Sequence, residues 1–235
     1  MIPFSDVNPT KGPALVNRLL LFVNIVVWIY IVSLQRTPGA LQAFLDRYAF
    51  DWTRFTHDVS TGAWTIATFV PLITHMFLHG GWLHVIGNML YLWVFGDNVE
   101  DRLGSGTYLL FYLLCGIVAA VGQGIVAPSP MLGASGAIAG VLGAYLVLSP
   151  GARIRTLIFL GIFITVLQLP AIVVIGFFIV IQFIEGFASL RLSGYAATEQ
   201  VAYFAHIFGF FAGIALVFLL RDRAHRTAAP YGRYG

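Results

Sequence analysis

Charge is what this 235-residue chain has least of: 10% of its residues are Asp, Glu, Lys or Arg and 59% are hydrophobic, where a soluble domain carries roughly 25% charge. A water-soluble globule is excluded. The 13 basic and 10 acidic side chains form no run of one sign, which excludes an electrostatic stripe for nucleic acid, and the apolar excess excludes disorder. A single cysteine, Cys115, rules out an internal disulfide. No small-x-small cleavage site follows the first apolar stretch, where Arg36-Thr37-Pro38 stand instead, so that stretch reads as a retained span and not a signal peptide.

Apolar runs are present at 15–34, 83–99, 108–126, 134–148, within 156–190 once frayed ends are trimmed, and at 202–220. A bilayer core takes about 20 such residues per helix. The expectation is an all-α polytopic membrane protein of six transmembrane helices, with the membrane domain over 14–220, a short leader at 1–13 and a short basic tail at 221–235. Residues 35–81 are too polar to cross, yet they carry Leu41, Phe44, Leu45, Tyr48, Trp52, Phe55, Trp64, Phe69 and Phe77. Such rings settle at headgroup level, which predicts a long interfacial first loop of short amphipathic helices. Nine basic residues (Lys11, Arg18, Arg102, Arg153, Arg155, Arg221, Arg223, Arg226, Arg233) fall on the side of the termini and four (Arg36, Arg47, Arg54, Arg191) on the other. The positive-inside bias then puts both termini in the cytoplasm.

Ionisable or amide side chains inside a span cost several kcal/mol, about 2.5 upward, and each needs a reason. Asp97, Glu100, Asp101 and Arg102 stand at a helix end where solvent or local pairing suffices, and Glu185, just after Gln182, snorkels or bonds a neighbouring helix. His84 and Asn88 are four apart, on one face that lipid would leave unsatisfied, so that face points inward. On their own they serve equally well to tie two helices together. The fourth run, Gly133-Ala134-Ser135-Gly136 and onward, covers roughly 22 Å as a helix, short of a core about 30 Å thick. It begins inside the membrane, after a stretch broken by Pro128 and Pro130, and irregular backbone at that depth needs protein or water around it. Ser135 thus opens a buried helix whose first N–H groups are unpartnered and suited to an oxyanion. Small residues at Gly136, Gly140 and Gly143 admit a close neighbour. The sixth run offers a matching face in Gly209 and Gly213, with His206 one turn before it, so close packing of the two brings imidazole to serine.

With His84-x-x-x-Asn88 on the second span, Gly133-x-Ser135-Gly136 opening the fourth and Ala205-His206-x-x-Gly209-x-x-x-Gly213 on the sixth, the chain resembles the rhomboid family of intramembrane serine proteases over about 68–215. The resemblance implies Ser135 as nucleophile, His206 as general base, and an oxyanion held by the Ser135 N–H, Asn88 and His84. It implies structural roles for Gly133, Gly136, Gly209 and Gly213, and for Glu100-x-Arg102-x-Gly104 as a network at the inner end of the second span. His75 and His79 become structural residues of the loop, and the fifth span with 191–200 becomes gate and cap. The expected partners are transmembrane protein substrates and the lipid bilayer, with no nucleic acid, metal or cofactor. The expected location is a bacterial or archaeal cell membrane, with the active site opening to the extracytoplasmic side. Two departures stand out. Val70-Pro71 occupies the place of a Trp-Arg pair found in some members, and Ala139 stands four after the serine where some place an aromatic ring under the histidine, so His206 must take its orientation elsewhere.

Two other classes of function fit less well. A non-catalytic binder of membrane helices would typically have lost the serine or histidine, and both are present. A metal enzyme or transporter would draw on His75, His79, His84 and His206, but Met76 stands where an H-E-x-x-H site needs Glu. The soluble nucleophile elbow G-x-S-x-G fails at Ala137.

Overall fold

The computed structural model describes residues 1–8, 10, 12–160, 163–192 and 201–227. The chain runs β1 (Ile2–Asp6), α1 (Leu15–Leu34), α2 (Ala40–Tyr48), α3 (Trp52–Thr61), α4 (Ile66–Phe69), α5 (Pro71–Thr74), a 3-10 turn at His75–Phe77, α6 (Trp82–Leu103), α7 (Ser105–Val126), α8 (Ser135–Leu148), β2 (Arg153–Leu160), β3 (Phe163–Pro170), α9 (Ala171–Leu192) and α10 (Tyr203–Thr227). Four helices are long and apolar enough to cross a membrane: α1, α7, α9 and α10. The stretch Ile66–Phe77 and α6, which meet at 81°, qualify together as a fifth. The protein is a polytopic, predominantly helical membrane protein.

Two expectations need correction. The fold is not all-α, because β1, β2 and β3 form an antiparallel sheet in that order, with Asp6 opposite Ile154, and Arg153 to Leu160 opposite Pro170 to Phe163. The fifth span does not begin near Thr156: the part before Ala171 belongs to strands β2 and β3, and the helix starts at Ala171, whose N–H donates to the Ala152 carbonyl at 2.9 Å. The run from Thr156 is as apolar as a span, but it is rich in Ile, Thr, Val and Phe, which suit a pleated strand. A helix over 156–190 would also bury Pro170 in its interior at a cost of about 3 kcal/mol. As built, Pro170 sits at the strand-to-helix junction, where its missing N–H is harmless.

The core centres on α8. Every residue from Gly136 to Tyr145 is buried, which its alternation of Gly and Ala permits by letting α6, α7 and α10 close in. A Cβ on Gly140 would meet Cys115 Sγ of α7 at 2.5 Å, and one on Gly136 would meet Ala119 Cβ at 2.6 Å. At the other end of α6, Glu100 accepts hydrogen bonds from Val16 N (3.0 Å), Asn17 N (2.7 Å) and Ser105 Oγ (2.6 Å). Its carboxylate thus caps α1, whose own N-cap, Ala14, offers no acceptor. Arg102 is exposed and supplies none of these three bonds; the network runs through Ser105.

Candidate active site

The site assembles at the start of α8. Ahead of it, Met131 exchanges both backbone hydrogen bonds with Phe50 (3.0 and 2.8 Å), and Gly133 N donates to His75 O at 2.9 Å, so the first loop pins the irregular approach to Ser135. His75 is itself fixed by a 2.8 Å bond from its Nδ1 to Pro71 O. Gly133 has φ +133°, a conformation L side chains rarely adopt, and a Cβ there would meet His84 Nε2 at 2.8 Å. The glycine therefore gives the imidazole of His84 room beside the helix start.

On α6, His84 Nδ1 accepts from Gly80 N at 3.4 Å, which assigns the ring proton to Nε2, the atom facing Gly133. One turn on, Asn88 is buried, and its Nδ2 has no hydrogen-bond partner among the described residues. A buried amide donor without a partner costs about 1–3 kcal/mol and is a feature to be explained by function. His79 lies edge-on to His84, ring centroids 5.0 Å apart.

The small faces of α8 and α10 meet as their spacing predicts: a Cβ on Gly209 would strike the carbonyl of Gly136, and one on Gly213 the carbonyl of Gly140. This contact sets the register that carries His206 to Ser135, with Nε2 to Oγ at 2.7 Å. Ser135 is half-buried and His206 buried. Gln123 of α7 steadies the start of α10 by accepting from Ala205 N at 3.1 Å.

Two residues of α9 complete the surroundings of the imidazole. Gln182 Oε1 lies 2.6 Å from His206 Nδ1, and the Phe178 ring is 5.8 Å from the imidazole at 41°. Neither was singled out from sequence. The available signal was Gln182 itself, a buried amide within an apolar helix. Together the geometry offers a hydroxyl on a base at a helix N-terminus, an imidazole beside it and, one turn along α6 from that imidazole, an amide donor without a partner among the described residues; this is equipment for acyl transfer.

The Rhomboid domain family matches residues 66–223. The chain belongs to the rhomboid family. Its similar relatives include the rhomboid protease GluP of Bacillus subtilis (strain 168), 47% identical over 75 residues that make up 32% of this chain and 15% of that protein. They also include the rhomboid protease GlpG of Photorhabdus laumondii subsp. laumondii, 27% identical over 136 residues, 54% of this chain and 48% of that one. RHOMBOID-like protein 4 of Arabidopsis thaliana is 27% identical over 216 residues, 85% of this chain and 50% of that one. The chain thus spans half or less of these three rhomboid relatives' lengths. Most of the cap expected at 191–200, from 193 on, and the tail from 228 lie outside the described residues.

Proposed function

We propose that this rhomboid is an intramembrane serine endopeptidase that cleaves transmembrane or juxtamembrane segments of single-span membrane proteins. The observation that carries the reading is the 2.7 Å contact between Ser135 Oγ and His206 Nε2 at the N-terminus of a buried helix. Ser135 attacks the scissile carbonyl as His206 takes its proton. The oxyanion is held by the Ser135 N–H, Asn88 Nδ2 and His84 Nε2–H. His206 returns the proton to the departing amine, and water, activated by the same base, hydrolyses the acyl-enzyme.

The arrangement in the membrane follows from the same elements. α1, α6, α7, α9 and α10 cross, and α8, which begins inside the membrane, completes the fourth of six crossings together with the irregular segment before it, so that both termini face the cytoplasm and the site opens on the opposite side, with α2–α5 at the headgroup level. A substrate helix hides its carbonyls in its own hydrogen bonds, so cleavage is expected near the outer boundary, at a small residue flanked by helix-weakening Gly, Pro or polar residues.

The test is incubation of detergent-solubilised protein with a panel of tagged single-span substrates, wild type against Ser135→Ala, cut sites mapped by mass, together with labelling by a fluorophosphonate. Cleavage and label that vanish in Ser135→Ala are the expected result. Absence of both from the wild type would leave a binder of membrane helices; cleavage persisting in Ser135→Ala would place the chemistry elsewhere.

A further inference from the structure

The amide of Gln182 has one orientation open to it. Its Nε2 donates to Phe178 O at 3.1 Å, and a carbonyl can only accept. The Oε1 is therefore the atom turned to His206 Nδ1 at 2.6 Å, and it too can only accept, so Nδ1 carries the ring proton. With the proton on Nδ1, Nε2 presents its lone pair to the Ser135 hydroxyl at 2.7 Å, the protonation state a general base needs. The reversed amide would set Oε1 against the Phe178 carbonyl, two acceptors face to face, and the His206 tautomer it would require, with the proton on Nε2, would leave that atom unable to take a proton. Phe178, one turn before Gln182 on α9, brings its ring to within 5.8 Å of the imidazole.

We propose that Gln182 is a positioning residue for the general base, so that the reacting unit is Ser135 on α8, His206 on α10 and a neutral amide on α9. This deepens the serine-protease reading and rests on it. The amide takes the part that a buried carboxylate plays in Ser-His-Asp sites, holding tautomer and ring plane, without placing a negative charge in a low-dielectric interior. It also makes the base depend on a helix that bears neither reacting atom: α9 supplies both the hydrogen bond and the ring contact, and Ala139, four residues after Ser135, has no ring or hydrogen-bonding side chain to supply either.

Among the described residues, the titratable group that acts on His206 is His84 from α6, α8 contributes Ser135, and α9 contributes Gln182; Glu185, further along α9, acts on Tyr203. The experiment measures the second-order rate of Ser135 labelling by a fluorophosphonate, as a function of pH, in wild type, Gln182→Leu and Gln182→Glu. Gln182→Leu keeps the bulk and loses the acceptor, and is expected to label about 10- to 100-fold more slowly. Gln182→Glu restores an acceptor and adds a charge that favours imidazolium, so it is expected to recover rate at high pH while its acid limb moves to higher pH. A structural role alone would not move that limb. Wild-type rate in Gln182→Leu overturns the proposal, and so does an unmoved acid limb in Gln182→Glu, which decides the matter even where the leucine variant does not fold. A wild type that fails to label at Ser135 removes the protease reading itself, whereas a labelling wild type with indifferent Gln182 variants removes only the positioning role.

Discussion

A methyl group at position 133 meets two obstacles, the φ of +133° and the His84 ring 2.8 Å away. Gly133→Ala is therefore expected to lose ~1–3 kcal/mol of stability from backbone strain and, in the fraction that folds, to label slowly because His84 has been displaced; thermal melting and fluorophosphonate rate check the two effects separately. Ser135→Ala removes one hydroxyl from a half-buried position, so it is expected to abolish turnover and to leave the melting temperature close to wild type. His206→Ala is expected to be equally inactive, and the double variant no worse than either, since a nucleophile and its base act as a unit; an additive loss would show that the two do not work together. For Asn88→Ala, turnover is expected to fall about 10²- to 10³-fold without stopping, because other donors remain to the oxyanion. Stability is expected to hold or rise, because Asn88 Nδ2 has no partner among the described residues.

Helix against helix, the contact of α8 with α10 sets the distance between the reacting atoms. Gly209→Val drives two methyls and a Cβ into the carbonyl of Gly136, which can give only by moving α10 outward. A dyad hydrogen bond works at about 2.6–3.2 Å, so labelling is expected to collapse in protein that still runs as a single folded species in detergent, although Ser135 and His206 are unchanged. Full labelling in that species would mean that the register rests on other contacts. This contact was legible in the sequence because Gly136, Gly140, Gly209 and Gly213 recur at helical spacing and because His206 and Ser135 flank them. The sheet was not legible: hydropathy records that 156–170 is apolar, and only the unsuitability of Pro170 for a helix interior and the β-branched content distinguish a hairpin from a span. Gln182 was hidden for a related reason. Sequence spacing relates residues on one helix, and Gln182 meets His206 across two helices whose rotation about their axes no spacing gives. The Ser105 bond of Glu100 was hidden too, since a carboxylate takes its partners from the fold and Ser105 lies outside the E-x-R-x-G motif.

Across the whole molecule, the first strand ties the two ends of the design together. Asp6 accepts from Asn98 Nδ2 of α6 at 2.6 Å and from Tyr145 Oη of α8 at 2.8 Å, while Asn8 Nδ2 also donates to Tyr145 Oη at 2.9 Å. Burial, reinforced by the charge of Asp97 and opposed by the Tyr145 bond, pushes the Asp6 carboxyl up to about 6. A carboxyl raised in the folded state contributes stability that is full below its unfolded value, near 4, and lost as pH rises through about 6. Asp6→Asn is accordingly expected to melt with the wild type at pH 4 and above it at pH 7; a gap that does not change with pH would show that Asp6 is not the group responsible. Tyr145 lies in the last turn of the helix that Ser135 begins, so this strand braces α8 from its far end. The strand also bears on biosynthesis. β1 is made first, yet its partner β2 is about 150 residues away in the chain, an interval of roughly 7 to 30 s at a ribosome's usual pace. For that time the strand has an open edge and no mate, and its pairing can close only after α8 has been made, so these backbone bonds serve as a timestamp of partial insertion, with α9 and α10 still to come.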